Sequence, residues 1–214
     1  ADPKFVILDI NTTVRYNSTQ TSRTLDEIKT NVTSNILEFG RTNLSEFDKD
    51  FRYSKLLTKI DSTDTSILSN NTKVRMAKEI TPVTNTLFDF VLEFRNEVEK
   101  GSITSSLFTK TINGVNFEAS LEDLNGTIRV VSSTRGAKEV LDFNAGTVDY
   151  STGKILLNAF SLSGYFSRGR VAFGDRVQVY AQNVNPDVIV DQDQIIQIQS
   201  LNTNVSVVGQ LTDD

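Results

Sequence analysis

Beyond Pro82 the sequence is punctuated by glycine-containing dipeptides roughly every ten residues, and that spacing limits the possible folds more than any other feature. Asn113-Gly114, Asn125-Gly126, Arg135-Gly136, Ala145-Gly146 and Thr152-Gly153 separate apolar-polar runs at 108–112, 115–119, 127–132, 139–143, 147–150 and 154–158. Asn-Gly suits a two-residue type I′ hairpin because both central residues must take positive φ. Phe88, Phe90, Leu92 and Phe94 alternate with Asp89, Val91, Glu93 and Arg95, and further strands are expected at 176–181, 188–190, 195–198 and 205–208. Short strands between frequent turns predict an antiparallel β-sandwich or barrel.

Before Pro82 the periodicity differs. Val6, Leu8, Ile10, Val14 and Tyr16 alternate with Asp9, Asn11, Thr13 and Arg15, which predicts a half-buried strand over 5–16. Leu25, Ile28, Val32, Ile36 and Phe39 share one helical face, so a helix is expected over 25–39, with Thr24 and Glu27 as a capping box and Gly40 as its stop. Leu56, Leu57 and Ile60 mark a second helix over 53–61, with Ser54 as its N-cap. Val74, Met76 and Ile80 then alternate with Lys73, Arg75 and Glu79. The fold class is therefore α+β: a strand-helix-helix-strand unit over 1–82, followed by an antiparallel β-rich domain over 83–214 whose final strands are free to join either part.

Composition removes most catalytic chemistry. The chain has no His and no Cys, hence no imidazole or thiolate for nucleophilic, metal or disulfide chemistry. Its 27 acidic residues against 22 basic ones give a net charge of -5, the wrong sign for neutralising phosphates, so no nucleic acid is expected as partner. No apolar run approaches the roughly 20 residues of a membrane helix, and no membrane partner is expected. The start at Ala-Asp-Pro-Lys4 reads as a cut or tagged piece of a longer protein.

Carboxylates are the remaining catalytic currency. Asp48 with Asp50, Glu122 with Asp123, and Asp191 with Asp193 could offer oxygen ligands to Ca²⁺ or an acid and a base to a sugar. None has calcium-loop spacing, and acidic residues in the turns of an acidic protein are mostly solvated. Ser54-Lys55 and Ser167 beside Arg168 form no Ser-x-x-Lys motif, and the glycines form no phosphate loop, so no catalytic residue, metal or cofactor is expected. Sugar stacking has little to work with, since there is no Trp and most Phe lie at inward positions. The segment 161–170 reads as a loop whose Tyr165 and Phe166 stand beside Arg168 and Arg170. Loop aromatics with Arg suit a subunit contact, and the blander reading is that they cap the end of the sandwich.

Several stretches are familiar. Phe5-Val-Ile-Leu-Asp-Ile10, the helix start Thr24-Leu-Asp-Glu-Ile-Lys29, the run Phe51-Arg-Tyr-Ser-Lys-Leu56, and Ser66-Ile-Leu-Ser69 resemble the C-terminal part of T4-type phage baseplate wedge proteins, in the baseplate-J-like group of contractile-tail components. Thr147-Val-Asp-Tyr-Ser-Thr-Gly153 is similar to their hairpin. The resemblance implies a structural, non-enzymatic virion protein of the tail baseplate, assembled in the host cytoplasm. It also implies that full-length copies form homodimers and close a ring around the tail hub, with other wedge subunits as partners. The resemblance further implies two alternating two-fold contacts in that ring, one of them carried by this part of the chain. A receptor- or glycan-binding β-domain of a virion is the alternative.

Overall fold

The structure is a computed structural model that describes residues 4–134, 136–166 and 174–210. In chain order its elements are β1 (Lys4–Asn17), α1 (Leu25–Asn43), α2 (Tyr53–Asp61), β2 (Ile67–Ile80), β3 (Phe88–Glu93), β4 (Thr104–Ser105), β5 (Phe108–Ile112), β6 (Val115–Leu124), β7 (Thr127–Ser132), β8 (Glu139–Asp149), β9 (Lys154–Phe160), β10 (Gly164–Tyr165), β11 (Val177–Ala181) and β12 (Gln194–Gln210). The chain divides into two compact units, residues 1–75 with 185–214, and residues 76–184.

In the first unit the strands run in the order β12-β1-β2. Bonds joining Asp9 to Arg75 (2.6 Å), Thr12 to Thr72 (2.7 Å) and Asn17 to Ser66 (2.9 Å) step in opposite directions along β1 and β2, so that pair is antiparallel. β12 lies parallel to β1, with Val6 opposite Ile196, Leu8 opposite Ile198 and Val14 opposite Val207. The final strands thus return to the first part of the chain. The runs at 195–198 and 205–208 belong to one strand, whose register shifts opposite Asp9; there Asn202 Nδ2 donates to Asp9 Oδ1 (3.1 Å). The apolar stripe of α1 (Ile28, Val32, Ile36, Phe39), with Leu56 and Ile60 of α2, is buried, as are Val6, Leu8, Ile10, Val14, Ile196 and Val205 of the strands. Burying each such side chain contributes about 1.5–3 kcal/mol.

The predicted capping box forms: Glu27 N–H donates to Thr24 Oγ1 (3.2 Å) and Thr24 N–H to Glu27 Oε2 (2.7 Å). Gly40, however, does not stop α1, which continues to Asn43. A Cβ on Gly40 would stand 2.7 Å from Ile198 Cβ, so this glycine serves the close approach of helix to strand. Nor does Ser54 cap α2. The N-cap is Arg52, whose side chain makes no cap bond, and the Tyr53 N–H is accepted by Asp187 Oδ1 (2.8 Å) from the far end of the sequence. Arg52 bridges Asp50 and Asp187, both at 3.1 Å, and Phe51 and Val188 exchange backbone bonds of 2.9 and 3.0 Å.

In the second unit the end of β2 pairs with β11, and the path continues β4-β6-β7-β8-β9-β3, with β5 joined to β6 and β10. Every pair given there is antiparallel. These strands are hydrogen-bonded neighbours along one path, in a large sheet. Asn113 (φ 50°) and Gly114 (φ 77°) turn β5 into β6, and Asn125 (φ 51°) and Gly126 (φ 86°) turn β6 into β7, as the Asn-Gly rule requires. Gly153 (φ 65°) makes the β8–β9 turn. Ala145-Gly146 makes none and lies inside β8. A Cβ on Gly146 would fall 2.0 Å from the Leu156 carbonyl oxygen, and the β7–β8 register slips between Ile128, opposite Gly146, and Val130, opposite Asp142. That glycine marks a bulge with close backbone approach. Phe94, Phe108, Leu121, Ile128, Ile155, Leu157 and Phe160 are buried, with Phe108 and Phe160 edge to face at 5.3 Å.

Candidate interaction surface

Two of the four residues singled out for a subunit contact are described. Tyr165 ends the short strand β10, opposite Phe108 of β5, and its hydroxyl donates to the Pro82 carbonyl oxygen. Burial pushes its phenol pKa up, and the charge of Asp175 adds to the effect. Phe166 follows it, also half-buried. Arg168 and Arg170, like Ser167, lie outside the described residues. The preceding segment is tied down and is not a free loop: Lys110 Nζ donates to the Ser161 carbonyl oxygen (2.9 Å) and Oγ (3.0 Å), and Thr111 N–H donates to Ser163 Oγ (2.8 Å).

The carboxylate pairs come apart into structural roles. Glu122 and Asp123 are neighbours on β6 and so point to opposite faces. Glu122 receives both Arg129 and Lys138; burial pushes its pKa up, but the two cations hold it below the usual range. Asp123, buried, accepts from the N–H groups of Gly101 (2.7 Å) and Ile103 (2.8 Å) and from the Tyr150 hydroxyl (2.6 Å), fixing the turn before β4. Asp50 pairs with Arg52 and accepts from Val190 N–H (3.2 Å), while Asp48 is exposed. Asp193 pairs with Lys4 (3.3 Å), and Asp191 offers its carbonyl oxygen to Gln194 N–H. Ser54 and Lys55 are both exposed on α2. Among the described residues no group of three or more acidic side chains could hold a metal ion, and no helix is long and apolar enough to cross a membrane.

What the sequence reading missed is apolar exposure on the second unit. Phe88, placed inward by alternation, is 43% exposed: it opens the terminal strand β3 and its ring rests against Phe90 (6.2 Å between centroids), while the β3–β9 register slips between the two and Asp89 Oδ1 accepts from Ala159 N–H (2.7 Å). Val83, Leu87, Val91 and Phe143 are exposed as well, Phe143 at 71%. The visible signal was Phe143 itself, a large apolar side chain set between Asp142 and Asn144.

These features define a β-rich module in which Asp50, Glu122, Asp123 and Asp187 hold turns, strands and a helix start. Residues 4–79 match the family described as the baseplate structural protein gp6, C-terminal domain III. Over 184 residues, 85% of this chain, the sequence is 22% identical to the baseplate wedge protein gp6 of Enterobacteria phage T4. The chain spans about 25% of the length of that curated relative. The resemblance to the C-terminal part of a baseplate wedge protein, carried in the sequence by β1, α1 and the α2 region, therefore holds.

Proposed function

We propose that this chain is a structural part of a contractile-tail baseplate, the C-terminal portion of a wedge subunit that dimerises and helps join wedges into a ring around the tail hub. The match of residues 4–79 to the wedge-protein domain carries this reading. Its role is to present rigid faces to itself and to neighbouring wedge subunits, which needs no titrating group. Tyr165 and Phe166, with Arg168 and Arg170, serve as one subunit contact. Phe166 is the better probe, because Tyr165 is already bound to Pro82.

The test is labelling of intact phage tails with an antibody raised against this chain, read by negative-stain microscopy. Label at the baseplate supports the reading, and label absent from tails or confined to fibre tips overturns it. For the contact, Phe166→Ala is expected to weaken co-purification with wedge subunits at least tenfold. Unchanged co-purification would move the contact elsewhere.

A further inference from the structure

We infer that the outer edge of β12, over residues 203–210, is a pairing edge for a second copy of this chain, strand against antiparallel strand across a two-fold axis. β12 is the terminal strand of its unit, and no described strand pairs with its outer side. α1 packs on β12, with Gly40 seated at Ile198, and this helix contact leaves the backbone edge beyond β12 without a described strand partner. A strand edge presents unpaired N–H and C=O groups, and proteins ordinarily blunt such edges with charges, Pro, bulges or short length.

β12 is barely blunted. It is 17 residues long and contains no Asp, Glu, Lys, Arg or Pro, although the chain's 23% charged content would place about four charges in such a stretch. Its register shift lies between Ile198 and Thr203, so 203–210 continues past it in unbroken register with 10–17 of β1. The terminal strand of the second unit is a useful contrast. β3 has six residues, carries Asp89 and Glu93, and slips register at its start. One terminal strand has the usual protections, and the other lacks them where it is longest.

The occupant follows from charge. Two copies of a chain with net charge -5 repel wherever their surfaces are typical, and an antiparallel two-fold sets one segment against the same segment of its copy. A strand without charges is where such copies can meet without opposing like charges. The exposed Asn204 and Ser206, with Gln210 at the strand end, each carry both donor and acceptor atoms, so each can complement whichever of these residues the copy sets opposite it, as a carboxylate facing a carboxylate or an ammonium facing an ammonium cannot. A basic partner would call for acidic residues on this strand, and there are none.

This inference rests on the proposal that the chain dimerises, and names the surface. The full chain is measured by analytical ultracentrifugation over a hundredfold concentration range. Its variants carry Asn204→Lys with Ser206→Lys, or Asn204→Glu with Ser206→Glu. Self-association of the native chain is expected to fall at least tenfold in each variant and to return when the two are mixed. Circular dichroism of each variant matching the native chain separates lost pairing from lost folding. A native chain that stays monomeric, a variant that associates as well as the native chain, or a mixture without recovery overturns the inference. Failure of the baseplate reading shows separately, as tails without label while β12 pairing persists.

Discussion

Gly40→Ala sets two opposed effects against each other at one atom. Alanine inside a helix is favoured over glycine by about 1 kcal/mol. Yet the new methyl would stand 2.7 Å from Ile198 Cβ, 3.1 Å from Cγ1 and 3.2 Å from Cδ1, where carbon atoms settle near 3.5–4.0 Å. A rotamer change can move Cγ1 and Cδ1 aside but cannot move Cβ, which is fixed to a strand held in register with Leu8. Helix and strand must therefore part by about 1 Å, loosening the buried Ile36 and Phe39 beside the contact. Overpacking of this kind costs about 1–3 kcal/mol; at the upper end, less the helix gain, the net loss is about 2 kcal/mol. Both helices lie in the first unit, so urea unfolding followed at 222 nm reports on it, and the midpoint should drop by roughly 1 M. Ile198→Ala should not rescue the variant, since the Cβ pair remains, and Arg41→Ala, exposed one residue on, should change stability by less than about 0.5 kcal/mol. A midpoint unchanged or raised by Gly40→Ala refutes the packing argument.

Gln194 is fully buried with neither side-chain amide atom bonded, so Gln194→Met is expected to stabilise the first unit by about 1–2 kcal/mol; a lowered urea midpoint would show the amide to be satisfied. Gly114→Ala meets nothing within 4 Å and should cost only the positive-φ penalty of about 1 kcal/mol, whereas Gly153→Ala brings Cβ to 2.4 Å from the Asn96 carbonyl oxygen and should cost distinctly more; equal losses would sink the distinction. The pKa values of Asp187 (Tyr53 N–H, then Arg52), Asp64 (Ser66, then Arg23) and Glu38 (Lys59) are all lowered by the partners named. Depressed carboxylates contribute stability above their unfolded values of 3.8 and 4.5 and lose it as pH falls through the lower folded ones. With no His to titrate, stability should be flat from about pH 5.5 to 8 and decline below about pH 4; a step near pH 6.5 would contradict this.

Local signals proved the most legible. The capping box, both Asn-Gly hairpins and the extent of α2 follow from neighbouring residues, because backbone conformation there is decided within a few positions. Glycines were read correctly where φ decided and wrongly where proximity did. Gly40 and Gly146 looked like punctuation, and their purpose is visible only once Ile198 and the Leu156 carbonyl are known to lie against them. The same limit hid the α2 cap, whose acceptor Asp187 is 134 positions from Tyr53. At the candidate contact, residue type suggested an interface. What it could not show is that Tyr165 already has a partner in Pro82, or that Phe88, at the start of a terminal strand, stays partly exposed.

The placement of β12 bears on whether residues 1–82 can stand alone. The family match ends at residue 79, yet much that completes the unit comes after residue 184: the parallel neighbour of β1, the Ile198 seat for Gly40, the Val188 bridge to Phe51 and the Asp187 acceptor at α2. A fragment of residues 1–82 keeps the β1–β2 pairing but leaves β1 with one neighbour and exposes the α1 stripe that β12 helps cover. Two strands are marginal in water, and most helix stability comes from tertiary packing. The fragment is therefore expected to lack a cooperative urea transition and a dispersed amide spectrum, and a peptide of residues 185–214 added in trans should restore both. Parallel pairing has no hairpin route, so β12 can dock on β1 only after the whole of residues 76–184 has been made. Cooperative unfolding of the fragment alone would show that β1, β2 and the two helices hold a core without β12.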